Sequence, residues 1–354
     1  MGEAACDLLG AELALDRLEA ELATELPAHL RGLARAHADG VATPGAPAVA
    51  RRPGSLAVAR AALVHPVLAD RALALVRLLA PIAIEDEPSV AAARAADPTW
   101  DALAVLTVAR DTAARARFGI GFLELMHRLH GASSSPPPGV WPDPVDGWHA
   151  ADEPLGIRMV ERAWRDLAAR HGARGTCRIV QSSAESSRAR AFVVESGREV
   201  IVVIPRTLDT PAARFVVLHE LGHAVAALVA GALPRIVDEA AAAYSARLIE
   251  LEGALDLGWF TPLAVRARER RRQLAIALDA IERDQVGAPA RPTERPPWAL
   301  WHDPGAQAAY AGAELIADRW WAALGPAPSA GAFAAALSDE HARIDGGTFL
   351  PPPR

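Results

Sequence analysis

Three short β-branched segments, Thr176–Gln181, Ala189–Glu195 and Glu199–Ile204, interrupt an otherwise Ala- and Leu-rich chain. They run almost directly into the apolar stretch FVVLHELGHAVAALVAG. This juxtaposition constrains the fold more than anything else in the sequence, because a small sheet has to be followed at once by a helix. Val- and Ile-rich segments of this length read as strands, and Ser196-Gly197 between the last two suits a tight hairpin. After Asp209 the pattern is helical. Asp209 or Thr210 can cap the helix, Pro211 is acceptable in its first turn, and Gly231 can end it. With few aromatics and little Ile or Tyr elsewhere, the expected class is mainly α, in an α+β arrangement.

Before the strands, residues 1–130 read as a helical N-terminal region. Residues 3–37 form one or two amphipathic helices, and a Gly/Pro/Ala loop spans Gly40 to Gly54. Helical spacing then recurs over Ser55–Leu79, Ser89–Ala96 and Trp100–His130, punctuated by Pro81 and Pro98. Residues 131–151, GASSSPPPGVWPDPVDGWHAA, read as a linker or long loop. The remainder, 152–354, holds a helix near Pro154–His171, the strands, the apolar helix and further helices. The last of these runs over about Gly305–Ala323, and a loose tail, TFLPPPR, follows it.

The net charge of −6 is mild and every basic residue is an arginine, interspersed with acids. The strongest basic run, Arg266 to Arg272, contains Glu269 and reads as a solvated helix face, so no nucleic-acid partner is expected. Cys6 and Cys177 are too far apart to suggest a CxxC metal site or a disulfide framework. The acidic, amphipathic N-terminus is unlike a secretion signal, and charges or prolines interrupt every apolar run before membrane-spanning length. A soluble, cytoplasmic protein without a membrane partner is expected.

Within the apolar helix, His219-Glu220-Leu221-Gly222-His223 places two imidazoles one helical turn apart, where both can reach one ion about 2 Å from each nitrogen. Glu220 lies beside them, in the position of a base acting on water rather than of a ligand. A catalytic zinc has three protein ligands and one open position. The preferred third ligand is Glu239, at the start of the helical segment DEAAAAYSARLIE, whose Ala242, Ala243 and Ala246 would allow a close helix approach. Asp238 is the neighbouring alternative; it could instead hydrogen-bond a ligand histidine.

These residues resemble the thimet oligopeptidase and oligoendopeptidase F family of zinc metallopeptidases. The segment SRARAFVVESGREVIVVIPRTLDTPAARFVVLHELGHAVA is similar to that family's strands and HExxH helix, and Glu239 to Ser245 to its third-ligand helix, with Tyr244 as the aromatic. Trp298 to His302 and Ala309 to Gly312 resemble its late motif, and residues 109–131 are similar to helices preceding its core. The resemblance implies a helical, zincin-like catalytic region over 152–354 and zinc on His219, His223 and Glu239. It also implies Glu220 as base, with Tyr310 and His302 donating hydrogen bonds to the oxyanion of a peptide substrate. The chain is shorter than most members; Ala226 stands where the family has a histidine, and Ala246 where it has an acid. Two other readings stay open. One is a regulatory protease of a specific protein partner, similar to the ImmA/IrrE-like group. The other is a catalytically silent, zinc-containing helical binding protein. The strand Glu199–Ile204 is a candidate edge for pairing with an extended peptide.

Overall fold

The computed structural model describes residues 2–42, 44–131, 156–184, 189–208, 211–251, 301, 304–325 and 327–347. Among these the protein is mainly helical with one small sheet. The expected linker beyond Gly131, the basic run 266–272, the Pro-rich stretch 288–297 and the tail lie outside the described residues.

Helix α1 (Gly2–Asp39) is continuous. Helix α2 (Ala48–Arg51) and the start of α3 (Pro53–Ala62) fall inside the stretch expected to be loop, with Pro53 opening α3 in the position its fixed φ favours. Helix α4 (Ala69–Glu85) runs through Pro81, where a break was expected. An interior proline costs a helix about 3 kcal/mol, and here Leu79, Ala80 and Ile84 around it are fully buried and hold the helix together. After α5 (Pro88–Arg94), the segment expected as one helix is two, α6 (Trp100–Phe118) and α7 (Phe122–His130). Gly119 ends α6 in a left-handed conformation, φ 75°, with its N–H donated to the Arg115 carbonyl. Leu18, Val76, Leu79, Leu103, Leu106 and Leu125 belong to the core of this region.

Helix α8 (Ile157–His171) precedes β1 (Thr176–Gln181), β2 (Arg190–Glu195) and β3 (Glu199–Ile204). The strand order is β1-β3-β2. β3 pairs in parallel with β1, Cys177 opposite Val200, and antiparallel with β2, Phe192 opposite Ile201. The expectation that β3 is an edge is therefore wrong: it is the centre of the sheet, and its edges are β1 and β2. The reason lies in its own composition, since the unbroken apolar run Val200–Ile204 is what burial on both faces demands. Val200, Val202 and Ile204 pack in the cluster of α9 (Pro211–Ala230), while Ile201 and Val203 join Phe192 and Val194 against Ala34 and Ala38 of α1. Gly197, φ 75°, makes the hairpin turn and donates its N–H to Ala227 near the end of α9.

Helices α10 (Arg235–Leu251), α11 (Pro304–Leu324) and α12 (Ala330–Gly347) complete the described chain. α12 has no counterpart in the sequence reading; its Phe333 lies against His171 and Tyr244, and the Tyr244 hydroxyl donates to the Gly325 carbonyl at 2.8 Å. The helical N-terminal region is tied to the rest by α1 on the sheet, by Arg77–Asp345 at 2.6 Å, and by Arg110 donating to the Trp301 carbonyl at 2.7 Å. No single helix among the described residues is long and apolar enough to cross a membrane.

Helices α9 and α10 approach each other closely. A Cβ placed on Gly222 would stand 2.6 Å from the Cα of Ala242 and 2.8 Å from its carbonyl oxygen, so only a residue without a side chain fits there. Gly222→Ala has to push two helices apart and is expected to cost about 1–3 kcal/mol. Urea unfolding of the metal-free protein measures this; an unchanged midpoint would show that the helices have slack at the crossing.

Candidate metal centre

Helix α9 is apolar on nearly every side and is buried by the sheet, α8, α10 and α12. Its two histidines are consequently buried with it, at 4% and 7% exposure for His219 and His223. Buried imidazoles need polar partners. Their rings stand edge to face with centroids 4.7 Å apart. Helix α10 supplies the partners, because the crossing at Gly222 brings its first turns alongside the motif.

Glu239 points one oxygen into the space between the rings. Its Oε2 lies 3.0 Å from His219 Nε2 and 3.6 Å from His223 Nε2. The three donor atoms all lie within 4.8 Å of one another. Donors about 2 Å from a common tetrahedral ion are separated by roughly 3–3.5 Å, so small side-chain adjustments suffice. Two imidazole nitrogens and one carboxylate oxygen form a donor set that zinc accepts, and the residues present fit such an ion.

The outward sides of His223 and Glu239 have charged neighbours too. Asp238 Oδ1 lies 2.9 Å from His223 Nδ1, which fixes the tautomer that leaves Nε2 facing inward. Of the two acids weighed from sequence, Glu239 therefore faces the ring nitrogens that converge and Asp238 holds the far side of one ring. Arg235 Nη2 lies 2.8 Å from Glu239 Oε1. Glu220, half-buried, accepts the backbone N–H of Ala191 on β2 at Oε2, 2.6 Å away. Since Ala191 pairs with Val202 of β3 on its other side, this bond is made at the outer edge of the sheet.

The electrostatics follow from this packing. Burial pulls the His223 imidazole down, but Asp238 and Glu239 beside it outweigh that and lift it from 6.5 to about 9. Burial pushes the Glu239 carboxyl up, and Arg235, His223 and His219 together hold it well below the usual carboxylate range. Without an ion, a proton on His223 takes the cation's place.

His302 lies outside the described residues; Tyr310 lies in α11, with its side chain also outside them. Ala226 and Ala246, the two departures from the resembled family, are fully buried alanines. Two contributors escaped the sequence reading. Arg235 carries a faint signal, one helical turn before the carboxylate it pairs with. Ala191 carries none, because it acts through its backbone.

No protein-family model matches the chain, and no curated protein and no solved structure matches it.

The position of His223 predicts a pH dependence of the metal-free fold. A histidine raised to about 9 from 6.5 stabilises the fold fully below roughly pH 6.5, and that contribution is lost as pH rises through about 9. In chelator-treated protein the urea midpoint is expected to decline across this interval, and Asp238→Asn to flatten the decline. A level midpoint in the unsubstituted protein would show that His223 is already neutral at neutral pH.

Proposed function

We propose that the chain is a zinc-dependent peptidase, of the zincin-like kind that its HELGH segment resembles, acting on peptide or protein substrates. The observation that carries this reading is the convergence of three buried donors, His219 Nε2, His223 Nε2 and Glu239 Oε2, beside a carboxylate, Glu220, that the sheet edge holds through the Ala191 amide.

A zinc ion held by those residues supplies a Lewis acid for the scissile carbonyl and makes water a stronger acid. Glu220 takes the proton of the attacking water and passes it to the leaving amine, acting first as general base and then as general acid. Its Oε2 is engaged by Ala191, which leaves Oε1 for the proton. Asp238 keeps His223 in the tautomer a metal needs. The outer edge of β2, which has no strand partner among the described residues, is where an extended peptide can add to the sheet and pass Glu220. Tyr310 and His302 are assigned the hydrogen bonds to the oxyanion; losing one such donor typically costs about a hundredfold in rate.

Glu220→Gln separates this reading from a zinc-stabilised scaffold. The variant is expected to keep one zinc per chain by elemental analysis and to lose about 10²–10⁴-fold of peptide-cleaving activity. Full activity in the variant, or purified protein that neither carries nor accepts a stoichiometric metal, defeats the proposal.

A further inference from the structure

Arg235 is placed oddly for a helix-stabilising residue. It is the first residue of α10, where a cation meets the positive end of the helix dipole. Its pair with Glu239 also runs in the less favourable order, with the base N-terminal to the acid by four residues. Local helix energetics thus give little reason for an arginine here. The geometry of Glu239 gives one. The Glu239 side chain is wholly buried while Arg235 is about a third exposed, at 37%, so the guanidinium reaches inward from the surface to a carboxylate that water does not reach.

The two oxygens of Glu239 have separate partners. Oε2 faces both histidine Nε2 atoms, and Oε1 faces the guanidinium at 2.8 Å. We infer that Arg235 is a positioning residue which holds Oε1 away from the ion, so that Glu239 ligates through Oε2 alone and the remaining coordination positions stay open for water and substrate. This inference rests on the zinc-site reading above. An unrestrained carboxylate beside a divalent cation can turn to offer both oxygens, closing a position the reaction needs. A guanidinium 2.8 Å from Oε1 attracts that oxygen and so opposes the turn.

Zinc affinity and cobalt spectroscopy of the full chain test it without recourse to catalysis. Arg235→Met is expected to raise the zinc Kd about 10–100-fold, measured by competition with a chromogenic chelator. With Co2+ replacing zinc, its visible absorption is expected to weaken as Glu239 offers a second oxygen and the coordination number rises. Arg235→Lys, which keeps one charged donor, is expected to recover part of both effects and also serves if the methionine variant fails to fold. Zinc affinity within about twofold of the unsubstituted protein overturns the inference. So does an unchanged cobalt spectrum whatever the affinity, since ligation through Oε2 alone would then not depend on Arg235. If the unsubstituted protein itself takes no metal, the zinc-site reading fails first and this inference falls with it; the two failures are distinguishable.

Discussion

Two imidazoles on one helix can share an ion with a carboxylate on another only if the helices lie closer than ordinary side chains permit. Interaxial distances of 8–10 Å are usual, and a glutamate is a short tether. Gly222 against the Ala242 backbone removes the spacer at the crossing. Ala242, Ala243 and Ala246, which share the face of Glu239, are all buried, so small side chains continue beyond the crossing for about another turn. The cost is an apolar helix, α9, that must be covered on all sides. The sheet, α8 and α12 cover it, and the rest of the fold is arranged around that need.

Much of this is legible in the residues. The hairpin of β2 and β3 follows from Ser196-Gly197 between two β-branched runs, and the bounds of α9 follow from Pro211 and Gly231. What was misread had local signals that compete with global ones. The run Val200–Ile204 is apolar at every position, which is the pattern of a strand covered on both faces, yet such a run does not say which strands lie on either side of it, and a candidate edge is read where a centre stands. Gly119 sits in a helical pattern that continues through Phe122, and only its left-handed conformation reveals the break. Pro81 is a helix breaker by itself and is overridden by the packing of its neighbours. Phe333, Leu337 and Ile344 of α12 do recur at helical spacing, but three apolar anchors among alanines are a weak stripe.

The candidate site divides in the same way. His219, Glu220 and His223 are readable because their relation is local, one turn of one helix. The sequence prefers Glu239 to Asp238 on the small residues that follow it along one face, but the two are adjacent and both acidic. Their roles depend on how α10 is rotated against α9. Neighbours on a helix point about 100° apart, and at this rotation one enters the space between the rings while the other meets the outer nitrogen of His223. Sequence names the pair, and tertiary packing assigns them.

The charges around the three donors favour a positive charge among them. Asp238, Glu239 and Glu220 surround two imidazoles, with Arg235 as the cation on the outer oxygen. Burying Glu239, with the other two carboxylates half-buried beside it, is costly without a compensating positive charge. A proton on His223 provides one charge and a divalent ion would provide two, so on the zinc reading proton and metal would compete for the same role, and metal binding would be coupled both to pH and to the packing of α9 on α10. The coupling extends to the sheet as well, because Glu220 is fastened to the Ala191 amide on β2. Three elements, β2, α9 and α10, therefore meet at one cluster, each holding one of its parts: the sheet edge holds the Glu220 carboxylate, α9 carries the imidazoles, and α10 brings Glu239 together with Arg235 beside it.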